Sequence, residues 1–92
     1  MLVVEVADTT LGYDRHRKAA KYAKAGIEDY WIVNLRGRCL EVHREPGEMP
    51  DSDYGHGYKR SIRLTDGESI APLNAPDSPI RVADLLPGAT EN

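Results

Sequence analysis

The hydrophobic pattern opens with Leu2-Val3-Val4-Glu5-Val6, an apolar run holding a single carboxylate. A period of two places Leu2, Val4 and Val6 on one face of a strand and Val3 and Glu5 on the other. Apolar residues on both faces predict a central strand, covered on both sides. Ala7 to Tyr13 reads as a loop with Gly12, and Asp14 is suited to cap a helix whose strong formers run to Ala25 before Gly26 ends it. At about 100° per residue, Ala19, Tyr22 and Ala23 make the packing stripe and Arg17, Lys21 and Lys24 look out to water. Lys18 falls about 40° from Tyr22, at the stripe's edge, so its ammonium can lean towards Glu5.

Tyr30-Trp31-Ile32-Val33 is aromatic and β-branched, which predicts a strand. Strand, helix and strand in this spacing predict a βαβ unit, its strands parallel and its crossover right-handed. Leu35 to Arg38 is a turn, and the alternation from Cys39 to Arg44 predicts a hairpin partner for the Trp31 strand. Residues 45–57, with five Pro or Gly and four acids, read as a long exposed loop containing His56, Asp51 and Asp53. Tyr58 to Leu64 alternates as another antiparallel strand. Short strands at Ser69-Ile70 and Ile80-Arg81-Val82 and a helical turn over Ala83 to Leu86 complete the pattern, with a disordered tail at 87–92.

The fold expected is α/β: a mixed sheet with one crossover helix, then antiparallel strands. Residues 1–92 make one small domain. The chain is inside a strand by Leu2, which suggests a partial domain, truncated on the amino-terminal side.

Composition narrows the functional classes. A net charge of −3 argues against a generally basic nucleic-acid binder, but the charge is uneven. Residues 1–44 carry eight Lys/Arg against six Asp/Glu, and residues 45–92 carry four against nine. The basic helix could meet phosphates, or it could be a solvated face. No apolar run is long enough for a membrane span, and no signal peptide is visible. The lone Cys39 makes no internal disulfide, which favours a reducing, cytoplasmic setting.

Glu5 is the candidate for chemistry. A carboxylate inside an apolar strand costs several kcal/mol unless something pairs with it. Two readings stand side by side: a partly buried ion pair with Lys18, or a catalytic pair. Tyr30 and Trp31 read as core residues, and His16, His43 and His56 lack the mutual spacing of a metal site.

The run VEVADTTLGYDRHRKAAKYAKAGIEDYWIVN resembles the Uma-two family of bacterial restriction-endonuclease-type proteins, which have the PD-(D/E)xK nuclease fold. Glu5, Thr9, Thr10, Asp14, Lys18, Tyr22, Ala25, Gly26, Ile27, Asp29, Tyr30, Trp31 and Val33 carry the likeness. It implies Mg²⁺-dependent hydrolysis of DNA phosphodiesters, with Glu5 and Lys18 catalytic, Asp14 and Tyr22 supporting, and Glu5 with the Val6 carbonyl as metal ligands. The chain departs from the pattern in three places. Asn34 stands for the usual Asp, and Ala7 for the lysine of the tripeptide, with Lys18 as its stand-in. The family's second metal-binding Asp, on an earlier strand, has no counterpart. The chain is therefore expected to be the carboxy-terminal part of such a nuclease, inactive alone, with a homodimer partner or another chain supplying the missing strands. The alternative is a non-catalytic remnant or oligomerising interaction module that pairs through its first strand.

Overall fold

The computed structural model describes residues 1–7 and 15–86, the side chains of 15 and 16 excepted. The expected Asp14 cap, the loop with Thr9, Thr10 and Gly12, and the 87–92 tail lie outside the described residues.

β1 (Leu2–Ala7), α1 (Arg15–Lys24) and β2 (Asp29–Asn34) form the predicted βαβ unit, with β1 and β2 parallel. α1 ends as Gly26 predicts. Its φ of +80° is one that glycine adopts without strain, and it lets Gly26 N donate to Ala23 O and Ile27 N to Tyr22 O at 3.0 Å each. β3 (Cys39–Glu48) pairs antiparallel with β2, and β4 (His56–Leu64) with β3, giving the sheet order β1-β2-β3-β4. β5 (Ser69–Ile70) and β6 (Ile80–Arg81) make a small separate ladder, followed by a 3₁₀ turn at Val82–Leu85. Val82 thus belongs to the turn rather than to the last strand. Among the described residues the outcome is a mixed α/β fold with one α-helix, compatible with a restriction-endonuclease-like sheet. No helix among the described residues is long and apolar enough to cross a membrane.

The sheet is covered unequally. On one face Trp31, Val33, Leu40, Val42 and Leu64 pack against Val82 and Leu86 from the closing segment. On the other, Tyr30, Ile32, Tyr58 and Ala7 meet Ala23 of α1, with Val3, Ala19 and Tyr22 around them. Each large side chain so buried contributes roughly 1.5–3 kcal/mol. β2 lies between β1 and β3 with both faces covered, and Tyr30 to Val33 are all buried.

Two expectations need correction. β1 is an edge strand among the described residues, and its outer face is open: Val4 is 46% and Val6 63% exposed. The closing segment packs over β2, β3 and β4 and leaves the far end of that face bare. The long loop is also much shorter than its composition suggests. β3 continues to Glu48 and β4 begins at His56, so Pro46 pairs with Tyr58 and Gly47 with Gly57. Past Arg44 the strand no longer has β2 beside it, and an edge tolerates a proline that a central strand would not. His56 is accordingly half-buried in a strand rather than exposed in a loop.

This hairpin also breaks its alternation. Tyr58 packs on the α1 side, and so does Ser61, three residues on, through His43. Facing that stretch, Glu45 takes a φ of +63° between the Arg44–Arg60 and Pro46–Tyr58 pairs. Such a φ is uncommon for a residue other than glycine.

The open end of β2 is tied down by Asp29. Asp29 is 2% exposed, and its carboxylate accepts from Trp31 Nε1 at 2.6 Å, Arg44 Nε at 2.9 Å and Leu73 N at 2.8 Å. Arg44 also donates to Ala71 O at 2.7 Å, so one buried ion pair links β2, β3 and the closing segment.

Candidate functional site

Glu5 points from β1 towards α1. The helix period brings Lys18 and Tyr22, four residues apart, to the same carboxylate. Lys18 Nζ lies 3.3 Å from Glu5 Oε2, and Tyr22 OH donates to the same oxygen at 2.7 Å. Tyr30 OH donates to Oε1 at 3.3 Å. Tyr30 reaches it because the parallel register sets Val3 beside Tyr30 and Glu5 beside Ile32, making Tyr30 a diagonal neighbour on the same face. The carboxylate is thus held between a sheet phenol and a helix phenol, with an ammonium at its outer side.

Burial sorts these contacts. The Lys18 side chain is 46% exposed and that of Glu5 19%, so the ion pair contributes less than about 1 kcal/mol. The phenol bonds lie deeper and carry more of the positioning. The Tyr22 hydroxyl is pushed above its usual value of 10.0, first by its bond to Glu5, then by burial and by the Glu5 charge. It stays a donor through the neutral range.

Beyond Tyr30 the same face continues as polar groups. His43 stacks on the Tyr30 ring at 5.6 Å, and its Nδ1 is 3.0 Å from Ser61 Oγ. Its Nε2 lies 3.9 Å from Glu41 Oε1, and Glu41 Oε2 accepts from Asn34 Nδ2 at 3.0 Å. Asn34 Oδ1 in turn accepts from Gly37 N at 2.9 Å, in the β2–β3 turn. A cleft of about 270 Å³ opens beside His43, lined by Ala19, Tyr54, His56, Tyr58 and Ser61 among others. Tyr58 closes its floor, donating to Ile27 O at 2.6 Å. Burial above all, then the Asp29 and Tyr22 charges, push its phenol up to about 12.

The 76 residues from Met1 to Pro76 match one family model, described as "Putative restriction endonuclease". The chain belongs to the Uma2 family. No curated protein and no solved structure matches it.

Against the Uma2 resemblance, the structure brings together Glu5, Lys18 and Tyr22. Asp14 lies outside the described residues. Val6 follows Glu5 in register with Val33, its side chain on the opposite, open face. The sequence assigns Tyr30 to the core and His43 to no metal site, so neither is a candidate site residue there. Tyr30 had a signal available: read as core, it also falls on the face of Glu5 once a parallel pairing is assumed. His43 had none, because its place depends on β3 pairing with β4. Asn34 also has a local rationale, since an Asp there would face Glu41 with like charge.

The described residues do not by themselves fit a divalent cation. Mg²⁺ takes six oxygen ligands, commonly with one or two carboxylates among them. Among the described residues no three His, Cys, Asp or Glu side chains gather to hold a metal. Glu5 is one carboxylate, with donors on both oxygens, and its β2 neighbour on the same row is Ile32.

Proposed function

We propose that this Uma2 chain carries the Glu5–Lys18 half of a site that hydrolyses DNA phosphodiesters, and that it does not cleave by itself. The observation behind this reading is the Lys18–Glu5 contact of 3.3 Å, braced by two phenols and lying within the family-matched residues. Lys18, half in solvent, is suited to meet a phosphate oxygen, and Tyr22 and Tyr30 keep the carboxylate aimed. Among the described residues the β2 neighbour of Glu5 is Ile32, so a second carboxylate would come from a strand beside β1 or from Asp8 or Asp14, which follow β1 in sequence. Mg²⁺ belongs to that completed site and not to the described residues alone.

Nicking of supercoiled plasmid in Mg²⁺ or Mn²⁺ tests this. The expected result is background nicking by the chain alone and by Glu5→Gln. A fusion that sets an Asp-bearing strand beside β1 should gain nicking that Glu5→Gln abolishes. Nicking that survives Glu5→Gln removes the site. Strong nicking by the chain alone that Glu5→Gln abolishes removes the missing-carboxylate part.

One observation favours a second reading, an interaction module. β1 is an edge strand with Val4 and Val6 exposed, an arrangement open to strand addition by another chain. That reading expects concentration-dependent association and no cleavage in any arrangement.

A further inference from the structure

α1 holds Arg15, Arg17, Lys18, Lys21 and Lys24 and no carboxylate. The other 82 residues of the chain carry seven Lys/Arg against fifteen Asp/Glu. A helix of charge +5 therefore sits on a body of −8. Such separation orients a molecule towards a polyanion during approach, even when the total charge is negative.

Two features set this helix apart from an ordinary solvated one. Its first turn has no acidic residue and begins Arg15-His16-Arg17-Lys18, where the helix dipole favours negative charge. Asp14, just before it in sequence, offsets at most one of the three cations of that turn. The packing also leaves a defined ridge. Ala20 and Ala23 are buried, Lys18 is turned to Glu5, and Arg17, Lys21 and Lys24 are exposed along one side. Seven residues at ~1.5 Å rise spread these three over about 10 Å. One strand of a duplex offers a charge every ~3.4 Å along the axis, so the ridge spans about three phosphate spacings.

We propose that Arg17, Lys21 and Lys24 hold the phosphate backbone of duplex DNA alongside the Glu5–Lys18 site. The inference rests on the nuclease reading for its choice of DNA and adds the face that meets it. Lys18, one residue from Arg17 and three from Lys21, places the carboxylate at the flank of the bound backbone.

The experiment measures anisotropy of a short labelled duplex, without divalent metal, across about 50 to 200 mM salt. The full chain is compared with R17Q/K21Q/K24Q, with a charge-matched control, R36Q/R38Q/R81Q, and with E5Q. Circular dichroism checks that each is folded. Each phosphate contact contributes about 0.9 to the slope of log K against log salt, so the ridge variant should lose roughly 2.7 of slope and the control little. E5Q should keep the wild-type slope. The inference is overturned by equal losses in ridge and control variants, by an unchanged slope, or by no duplex binding at all. It is also overturned if the ridge variant loses only its binding to phosphatidylserine vesicles. A ridge-dependent slope in a protein whose completed site never cleaves would sink the nuclease reading and leave the ridge. Glu5-dependent cleavage with an unchanged slope would do the reverse.

Discussion

The Tyr22 hydroxyl donates to Glu5 Oε2 at 2.7 Å, a shorter contact than the 3.3 Å of Lys18 to the same oxygen. The helix therefore grips the β1 carboxylate first through a neutral phenol and only second through its charge. Tyr22→Phe should cost about 1–2 kcal/mol, measured as a fall in the urea midpoint, because it removes a charge-assisted bond. The bond also raises the Tyr22 pKa, so Glu5→Gln should bring that phenol back down towards its usual value. Titration of the Tyr22 ring signal by NMR would show it, and an unmoved pKa would mean that burial dominates.

Asp29 and Arg44 should prove the most sensitive pair in the chain. Asp29→Ala strands the Arg44 guanidinium and removes the acceptor for Trp31 Nε1 and Leu73 N. The expected loss is about 3–5 kcal/mol, enough to unfold a marginal domain of this size. Thermal unfolding followed by Trp31 fluorescence measures it. A loss below about 1 kcal/mol would show that water replaces the pair.

Tyr58 sets an alkaline limit on stability. Its pKa is pushed up to about 12 in the folded chain against about 10 when unfolded. The unfolded state therefore loses its proton first as pH rises. The stabilisation is fully present below pH ~10 and disappears as pH climbs towards ~12, a change of about 2–3 kcal/mol. Urea unfolding at stepped alkaline pH should show that decline, and Tyr58→Phe should flatten it.

Asn34→Asp would restore the residue that the Uma-two resemblance expects at the end of β2. Here it sets a second carboxylate against Glu41, where an amide now donates at 3.0 Å. At neutral pH the variant should lose roughly 1–2 kcal/mol. Like charge disfavours two neighbouring carboxylates, so the stability of the variant should recover on acidification. A variant as stable as wild type at neutral pH would mean that the two side chains separate without strain.

Val6→Lys addresses the open face of β1. Val6 is 63% exposed, so the change should alter stability by no more than about 0.5 kcal/mol. If the edge takes up another strand, light scattering at rising concentration should show association in the wild type and less of it in the variant.

The residues alone determined the βαβ unit. Period-two and period-3.6 patterns are local, and the glycine stop at Gly26 and the lean of Lys18 towards Glu5 follow from helix geometry alone. The hairpin of β2 with β3 was equally legible, because Leu40 and Val42 alternate without interruption. Other features rest on contacts distant in the chain, and only the tertiary structure decided them. The run from Pro46 to Gly57 looks like loop until β4 lies alongside it and makes an edge that accepts proline. β1 looks central because its sequence is apolar on both faces, yet coverage depends on where the closing segment packs. Tyr30 and His43 joined the Glu5 face only through register, which composition does not encode. Nor could a pattern show Asp29 as a buried anchor, since its partners, Arg44 and Leu73, lie 15 and 44 residues away.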